Sequence, residues 1–539
     1  RLGHQPPILA AMTSDHQFPD GTAAGWLDVY ALFAEQARLQ PDALALEIAG
    51  PPNVGDAGVL SQHSYADVLG RVDALAGLLQ VRGIARGDRV AVVSENRLEY
   101  LCTFLAAARI GAIVACQNWR LAPGEMQHCL DLVEPSLILQ SGRFDDLLDG
   151  LETHGLPRIS YDDGFDDLLA NAPAPTPVAV QPEDGLLILY TSGTTGLPKA
   201  AVISQRAEVA RMMVLRLDLG VTPQDGYLAW SPMFHMGGTE HCLSELMMGG
   251  FAIVTDGLDV AAMAAAIARH RLGWLLLVPA TIDPLLAELK AQNTVVKHVG
   301  SVGCMADLVP LETIAEISRV LDAPFFNSFG ATETGLPPAS GHLLPVGGDL
   351  SDLSKRQSSY CAFRLVDPDG NDVPPGEAGE GAVRGPTLFS GYWAADEINR
   401  EQFQNGWFRM GDLFTRDATG GIQFVGRAKY LIKSGGENIY PAEIERILLA
   451  DARVEDAIVI RQPDPKWGEV PVALVARRDG SLTAEDLATQ CRAELAGYKQ
   501  PKQILFVEMS DFARSETGKI IREAMERLVE EKGDSVRAE

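Results

Sequence analysis

Leu186-Leu-Ile-Leu-Tyr190-Thr-Ser-Gly-Thr-Thr-Gly-Leu-Pro-Lys199-Ala200 joins a short apolar run to a loop of hydroxyl residues, glycines and one lysine. The run from Leu186 to Tyr190 is compact and unalternating, the pattern of a strand buried on both faces. Gly193 and Gly196 let the backbone turn tightly and let a ligand approach it. Thr191, Ser192, Thr194 and Thr195 offer hydroxyls, successive amides can form an anion nest, and Lys199 adds a point charge. The spacing is not the GxxxxGK[ST] of a Walker loop. A plain surface turn would account for the glycines but not for this collection directly after a buried strand.

Outward from that loop, strands and helices alternate. Trp26 to Arg38 has helical apolar spacing and Pro41 closes it; Ser64 to Val81 is a second helix with Ser64 as its N-cap. Arg89 to Val93, Ala112 to Ala115 and Leu137 to Leu139 read as strands, with helices at about Glu99 to Ile110 and Glu125 to Leu132 between them. Pro173 to Pro182 predicts a surface linker. Beyond the loop come helices Glu208 to Leu217, Ala261 to His270 and Ile282 to Leu289, with strands Tyr227 to Trp230 and Trp274 to Val278; the run Leu275 to Ala280 reads as buried strand. A further unit runs from Val299 through helix Leu311 to Val320 to Phe325 and Phe326. This is the βαβ signature of mainly parallel sheets.

The pattern changes after Asn327. Tyr360 to Val366, Gly381 to Arg384 and Ile422 to Val425, punctuated by Asp-Gly and Gly-Gly, predict antiparallel strands. From Pro441 a smaller α+β unit follows: helix Ala442 to Leu449, strands Val454 to Ile460 and Val470 to Ala476, helix Ala484 to Leu495, strand Gln503 to Phe506 and helix Ile520 to Glu531, with a polar, fraying end.

Bulk properties narrow the function classes. The chain has 539 residues, 46% hydrophobic and 22% charged, which is enough for two or three folded domains. The formal charge of -27 disfavours nucleic acid and anionic membrane, so an anionic ligand needs local donors, a metal and a few placed cations. Seven cysteines show no CxxC pair or zinc spacing; Cys102, Cys116, Cys129, Cys242 and Cys304 read as buried thiols of a reducing, cytoplasmic compartment. No uniformly apolar stretch of 18 residues predicts a membrane span. Arg1 to Gly25 does not read as a signal peptide, and with no initial Met the natural N-terminus need not be Arg1.

The loop resembles the signature of the adenylate-forming superfamily of acyl-CoA synthetases, luciferases and peptide-synthetase adenylation domains. Further segments carry the resemblance in order: Ser231-Pro-Met-Phe-His-Met-Gly-Gly238, Asn327-Ser-Phe-Gly-Ala-Thr-Glu-Thr334, Gly411-Asp412, Gly426-Arg-Ala-Lys429, Lys433-Ser-Gly-Gly-Glu-Asn-Ile-Tyr-Pro-Ala-Glu-Ile-Glu445 and Arg514-Ser-Glu-Thr-Gly-Lys519. It implies an α/β and α+β fold. A large N-terminal domain would hold two βαβ-type sheet subdomains and a small antiparallel, barrel-like subdomain, followed by a small mobile α+β C-terminal domain. The expected divisions are a tail at 1–25, a large domain at 26–427, a hinge at 428–430 and a small domain at 431–539.

The resemblance also implies an activity, ATP-dependent carboxylate-CoA ligation through an acyl-adenylate, with ATP, Mg2+ and CoA as cofactors. It places Thr191, Ser192, Gly193, Thr194, Thr195, Gly196 and Lys199 on the phosphates, and Ser328, Phe329, Gly330, Ala331 and Thr332 along the nucleotide. Phe329 would lie against adenine, where Tyr is more usual. Glu333 with Thr191 would hold Mg2+; a carboxylate and a hydroxyl suit a hard cation bridging phosphates. Asp412 would accept the ribose hydroxyls, with Arg427 clamping ribose and phosphate. His235 would wall the acyl pocket; it need not be a base, because a carboxylic acid is already ionised near neutral pH. The remaining acyl positions are Met236, Gly237, Gly238, Val302, Gly303, Cys304, Met305, Ala331, Thr334 and Gly335, a mainly apolar set that fits a short, medium or aryl acid.

Lys519 would neutralise the approaching carboxylate and α-phosphate, Lys429 would be the hinge, and Lys433, Ser434 and Gly435 would contact CoA. Tyr430 departs from the acidic residue usual beside the hinge. Trp467-Gly-Glu469 resembles a family motif of structural type, and Trp407 and Phe408 read as core. The expected partners are a small carboxylic acid and CoA, with no nucleic acid and no integral membrane association; a homodimer stands as a candidate assembly. The competing reading is a stand-alone amino-acid or aryl-acid adenylating enzyme that transfers to a carrier protein. The Asp that holds a substrate ammonium in the amino-acid branch is absent near Phe234-His235, although Glu240 could serve.

Overall fold

A computed structural model describes residues 26–55, 58–191, 197–306, 309–348, 353–435, 437–514 and 520–532. The tail at 1–25, loop residues 192–196, Gly436, Lys519 and the last seven residues therefore lie outside the described residues.

The quoted strand sits near one side of a six-stranded sheet. Its order is Arg158–Ser160, Leu137–Gln140, Arg89–Val93, Ile113–Cys116, Gly185–Thr191 and Lys199–Ser204. All neighbours are parallel except the last pair, which turns back antiparallel through the glycine-rich loop and sets Thr191 opposite Lys199. The flanking helices fill the core with Leu, Val and Ala side chains, as crossover packing requires.

A second, eight-stranded sheet runs Phe325–Asn327, Val302–Cys304, Arg271–Leu276, Gly226–Ala229, Phe251–Val254, Leu44–Ala49 and Val59–Ser64, with His298–Val299 beside Arg271–Leu276. It is parallel up to the final hairpin. A third, five-stranded antiparallel sheet holds Ala362–Val366, Gly379–Arg384, Trp407–Arg416, Phe403–Gln404 and Ile422–Arg427. A fourth holds Glu437–Ile439, Ile432–Ser434, Gly468–Arg477, Val454–Asp464 and Gln503–Phe506, and packs its own two apolar clusters within 432–529. The α/β-then-α+β expectation holds.

Local chemistry explains most element ends. The Tyr65–Val81 helix starts on a capping box in which Ser64 and Asp67 exchange hydrogen bonds, as its N-cap reading anticipated. Two expectations need correction. Trp26 is not in the first helix, which begins at Val29 because Asp28 caps it by accepting from the Ala31 amide at 2.7 Å. Leu275 to Ala280 is not one strand. The strand ends at Leu276, and Pro279, with φ preset for a first helical turn, opens the helix Pro279–Ala291. Gly237 and Gly238 stand in the first turn of the helix Met236–Met248. The strands Leu44–Ala49, Val59–Ser64, Lys199–Ser204 and Phe251–Val254, and most of Trp407–Arg416, were not anticipated.

Candidate active site

The Lys199 ammonium leaves the strand edge and rests 4.0 Å above the Tyr392 ring. The Tyr392 hydroxyl donates to Glu333 Oε1 at 2.7 Å. Burial lowers the Lys199 pKa, partly opposed by Glu333 and reinforced by Arg427 and Lys429. The Tyr392 phenol is pushed up, by burial first and then by the Glu333 carboxylate it serves. Thr191, paired with Lys199 across the hairpin, has its Oγ1 buried without a hydrogen-bond partner. A buried orphan hydroxyl beside the strand that carries Lys199, with one carboxylate close by, fits a hard cation completed by phosphate oxygens. Among the described residues no three His, Cys, Asp or Glu side chains form a closed metal cage, as such a site requires none.

Asp412 and Arg427 face each other across the antiparallel strands Trp407–Arg416 and Ile422–Arg427, with Arg427 Nε 2.7 Å from Asp412 Oδ1. Asp412 is buried while Arg427 is half exposed. Arg427 acts electrostatically on both Lys199 and Tyr392, so this pair belongs to the same polar centre. Phe329 is buried, stacked on Phe424 at 5.2 Å and edge-on to Phe414 at 4.7 Å. One face of its ring is therefore already covered. Ser328 donates its amide to the Cys304 carbonyl, and Gly330 lies so close to Gly335 that a Cβ would fall 2.2 Å from the Gly335 carbonyl oxygen. Thr332 and Glu333 are half-buried. Thr334 is buried and folds the loop: its hydroxyl accepts from the Ala331 amide and donates to the Gly335 carbonyl, leaving it a turn-former.

His235 caps the helix Met236–Met248 and packs its ring 4.7 Å from Phe234. Burial, helped by Arg120, pushes its pKa down to about 4, and its Nε2 is buried with no partner. It is a neutral imidazole with an unspent polar atom. The acyl set divides by strand alternation. Val302 and Cys304 point into the apolar layer with Leu275 and Phe325, whereas Met236, Met305, Ala331 and Leu276 pack on the opposite layer with Trp274 and Phe326. Val302 and Cys304 thus back the sheet rather than share the His235 face. The glycines are not openings either. A Cβ at Gly303 would fall 2.0 Å from the Phe326 carbonyl oxygen, at Gly238 2.3 Å from that of Pro232, and at Gly237 2.6 Å from Leu276. They permit close packing.

In the small unit, Lys433 donates its amide to Glu469 at 2.8 Å and Gly435 donates to the Trp467 carbonyl at 2.8 Å. Gly435 has φ +61, and a Cβ would meet the Trp467 indole at 2.7 Å. Trp467 and Glu469 therefore brace the Lys433–Gly435 turn; Ser434 is buried. At the expected hinge, Lys429 Nζ lies 2.8 Å from Glu523 and the Tyr430 hydroxyl 2.9 Å from the same carboxylate. Glu523 lies on the helix Arg522–Lys532, four residues after Lys519.

Sequence reasoning missed Tyr392, whose signal is Ser390-Gly-Tyr-Trp393, and Glu523. It also missed a cleft beside Pro232 whose lining sets Arg120 and Arg143 beside Glu95 and Asp256, with Arg143 paired to Asp256 at 2.9 Å.

Comparison with known proteins accords with this geometry. Residues 33–393 match the model of the AMP-binding enzyme family, and 443–519 match its C-terminal domain. Indoleacetate--CoA ligase of Aromatoleum aromaticum is 33% identical over 87% of this chain and 94% of its own. Feruloyl-CoA synthase of an Amycolatopsis species is 32% identical over 90% and 96%. Among solved structures, ATP-bound MatB from Rhodopseudomonas palustris superposes with a TM-score of 0.80 at 27% identity, covering 95% of this chain and all of that one. The AMP complex of O-succinylbenzoate Coenzyme A synthetase from Bacillus subtilis gives 0.79 at 26%, covering 91% and 97%.

Proposed function

The chain belongs to the AMP-binding enzyme family, is an ATP-dependent carboxylate-CoA ligase, and, we propose, activates an aryl carboxylic acid. The observation that carries the reading is the convergence of Thr191, Lys199, Glu333 and the Asp412–Arg427 pair on one polar centre drawn from separate sheets. The layer that carries Met236 and Leu276 also holds two buried aromatics, Trp274 and Phe326, packed edge to face at 5.4 Å. The relatives named for indoleacetate and ferulate act on aromatic acids, which supports an aryl acid here.

In the first half-reaction the carboxylate oxygen attacks the α-phosphorus of ATP, the bond to the β-phosphate breaks, and pyrophosphate leaves. The 191–199 loop holds the β- and γ-phosphates, Asp412 accepts from ribose hydroxyls, and Arg427 neutralises the ribose-phosphate side. Phe329, stacked on Phe424 on one face, braces the Ser328–Ala331 segment and has only its other face for adenine. Glu333 and Thr191 hold Mg2+, which when bound supplies charge neutralisation at the phosphates. Lys519 neutralises the two anions as they meet. In the second half-reaction the thiol of CoA loses its proton, sulfur attacks the acyl carbon, and AMP departs. Residues 431–539 turn about Lys429 between the two. The charge of -27 supports small molecules rather than nucleic acid as partners. Among the described residues no helix is long and apolar enough to cross a membrane.

The deciding experiment measures pyrophosphate release across aliphatic, aryl and amino acids, with and without CoA. Aryl acids should give the highest kcat/KM and CoA thioesters as products. A preference for aliphatic acids overturns the substrate class, and release without thioester formation favours a carrier-protein acceptor.

A further inference from the structure

Residues 389–393 join the two halves of the nucleotide centre. Trp393 donates its amide to the Ala200 carbonyl at 2.8 Å, Val202 donates to Gly391 at 3.0 Å, and Ser390 donates to Val202 at 2.8 Å. The segment thus lies along the strand that leaves the phosphate loop. Its Phe389 amide donates to the Glu333 carbonyl at 2.9 Å, so the same five residues also grip the Glu333 backbone. Asn399 fixes the middle of the segment from both sides, accepting from the Tyr392 amide and donating to its carbonyl, each at 2.8 Å. Gly391, at φ +107, is shaped to this clamp: a Cβ there would meet the Asn399 amide at 3.1 Å.

What this scaffold holds in place is one side chain. The Tyr392 ring lies under the Lys199 ammonium, and its buried hydroxyl donates to the Glu333 carboxylate. A buried phenol left without a partner is costly, so the contact is strongly specified. A donor fixed on one carboxylate oxygen restricts rotation of that carboxylate, the usual way an outer partner orients a metal ligand. An ammonium over an aromatic face is likewise held by the ring quadrupole.

We propose that Tyr392 is a positioning residue that sets the Glu333 carboxylate and the Lys199 ammonium in register for metal-bound nucleotide. This rests on the reading that Glu333 holds the metal. The two functions separate chemically: the hydroxyl serves Glu333 and the ring serves Lys199.

The test is ATP binding by calorimetry, in EDTA and across a Mg2+ series. Tyr392→Phe keeps the ring and removes the hydroxyl. It should bind ATP as the wild type does in EDTA, yet need roughly tenfold more Mg2+ to reach the metal-bound affinity, the low end for loss of an outer partner. Tyr392→Leu should weaken ATP binding in EDTA as well, because Lys199 loses its platform. Asn399→Ala, which loosens the scaffold and leaves the hydroxyl in place, should shift the Mg2+ requirement in the same direction by a smaller factor. An unchanged Mg2+ requirement in both Tyr392→Phe and Asn399→Ala overturns the proposal. Glu333→Gln tests the underlying reading by itself: if the Mg2+ requirement survives that change, Glu333 does not hold the metal.

Discussion

The candidate nucleotide centre and the proposed hinge both depend on charged groups, but they are held differently. Around Glu333 the partners are buried, and Tyr392 is fixed by Asn399, by Phe389 and by the strand at Ala200. At the proposed hinge, Lys429 and Glu523 keep a third or more of their side-chain surface in water, and Tyr430 is part-buried. Buried, multiply anchored contacts hold one geometry, whereas solvent-exposed ion pairs are worth little and exchange readily. A fixed floor and a more weakly held proposed hinge suit a two-step ligase.

Four measurements break or sharpen this contrast. Lys519→Ala removes the cation carried by the moving part. Adenylation, followed as pyrophosphate release, should fall by about 10²–10³, while thiolysis of supplied acyl-adenylate stays within a few fold; equal losses in the two steps would remove Lys519 from adenylation. Asp412→Asn acts on the fixed floor. Arg427 loses its counter-charge and the ribose its ionised acceptor, so KM for ATP should rise by roughly tenfold, about 1.4 kcal/mol, with little change in KM for the acid. A change confined to the acid would place Asp412 elsewhere.

The third concerns pH. His235 has a folded pKa of about 4, below the ordinary 6.5, because burial disfavours the imidazolium. Unfolded chain therefore binds more protons between those values, and stability is fully present above about pH 6.5 and falls as pH drops toward 4. In His235→Asn, thermal melts should lose part of that acid slope while the slope above pH 7 stays the same. A slope unchanged throughout would mean the imidazole is not buried neutral. The smallest effect is expected from Tyr430→Phe, which removes one partly exposed hydroxyl from Glu523. Stability should change by less than about 1 kcal/mol, and the ratio of thiolysis to adenylation rates should move by no more than a few fold. A large loss of stability would show the hinge to be as fixed as the floor.

Much of the fold was legible in the sequence because its chemistry is local. The apolar run Leu186 to Tyr190 announces a buried strand and Ser64 a helix start, while the proposal of a phosphate loop rests on Gly193, Gly196 and the neighbouring hydroxyls within a dozen residues. Tyr392 was not legible: Gly-Tyr-Trp has no chemistry of its own, and its partners stand 59 residues away at Glu333 and far earlier at Lys199. The acyl residues were half legible. Their apolar character was plain, but not that Gly237, Gly238 and Gly303 accommodate closely packed neighbours.

By itself, then, the sequence determined the α/β-then-α+β order, since apolar periodicity and loop chemistry act over short spans. The tertiary structure alone decided that Val302 and Cys304 turn away from His235 and that Phe329 has one face covered. It also decided that a phenol from a distant turn stands on Glu333. The physical reason is register: strand pairing assigns each side chain to one face of its sheet, and that choice is made by the neighbouring strand.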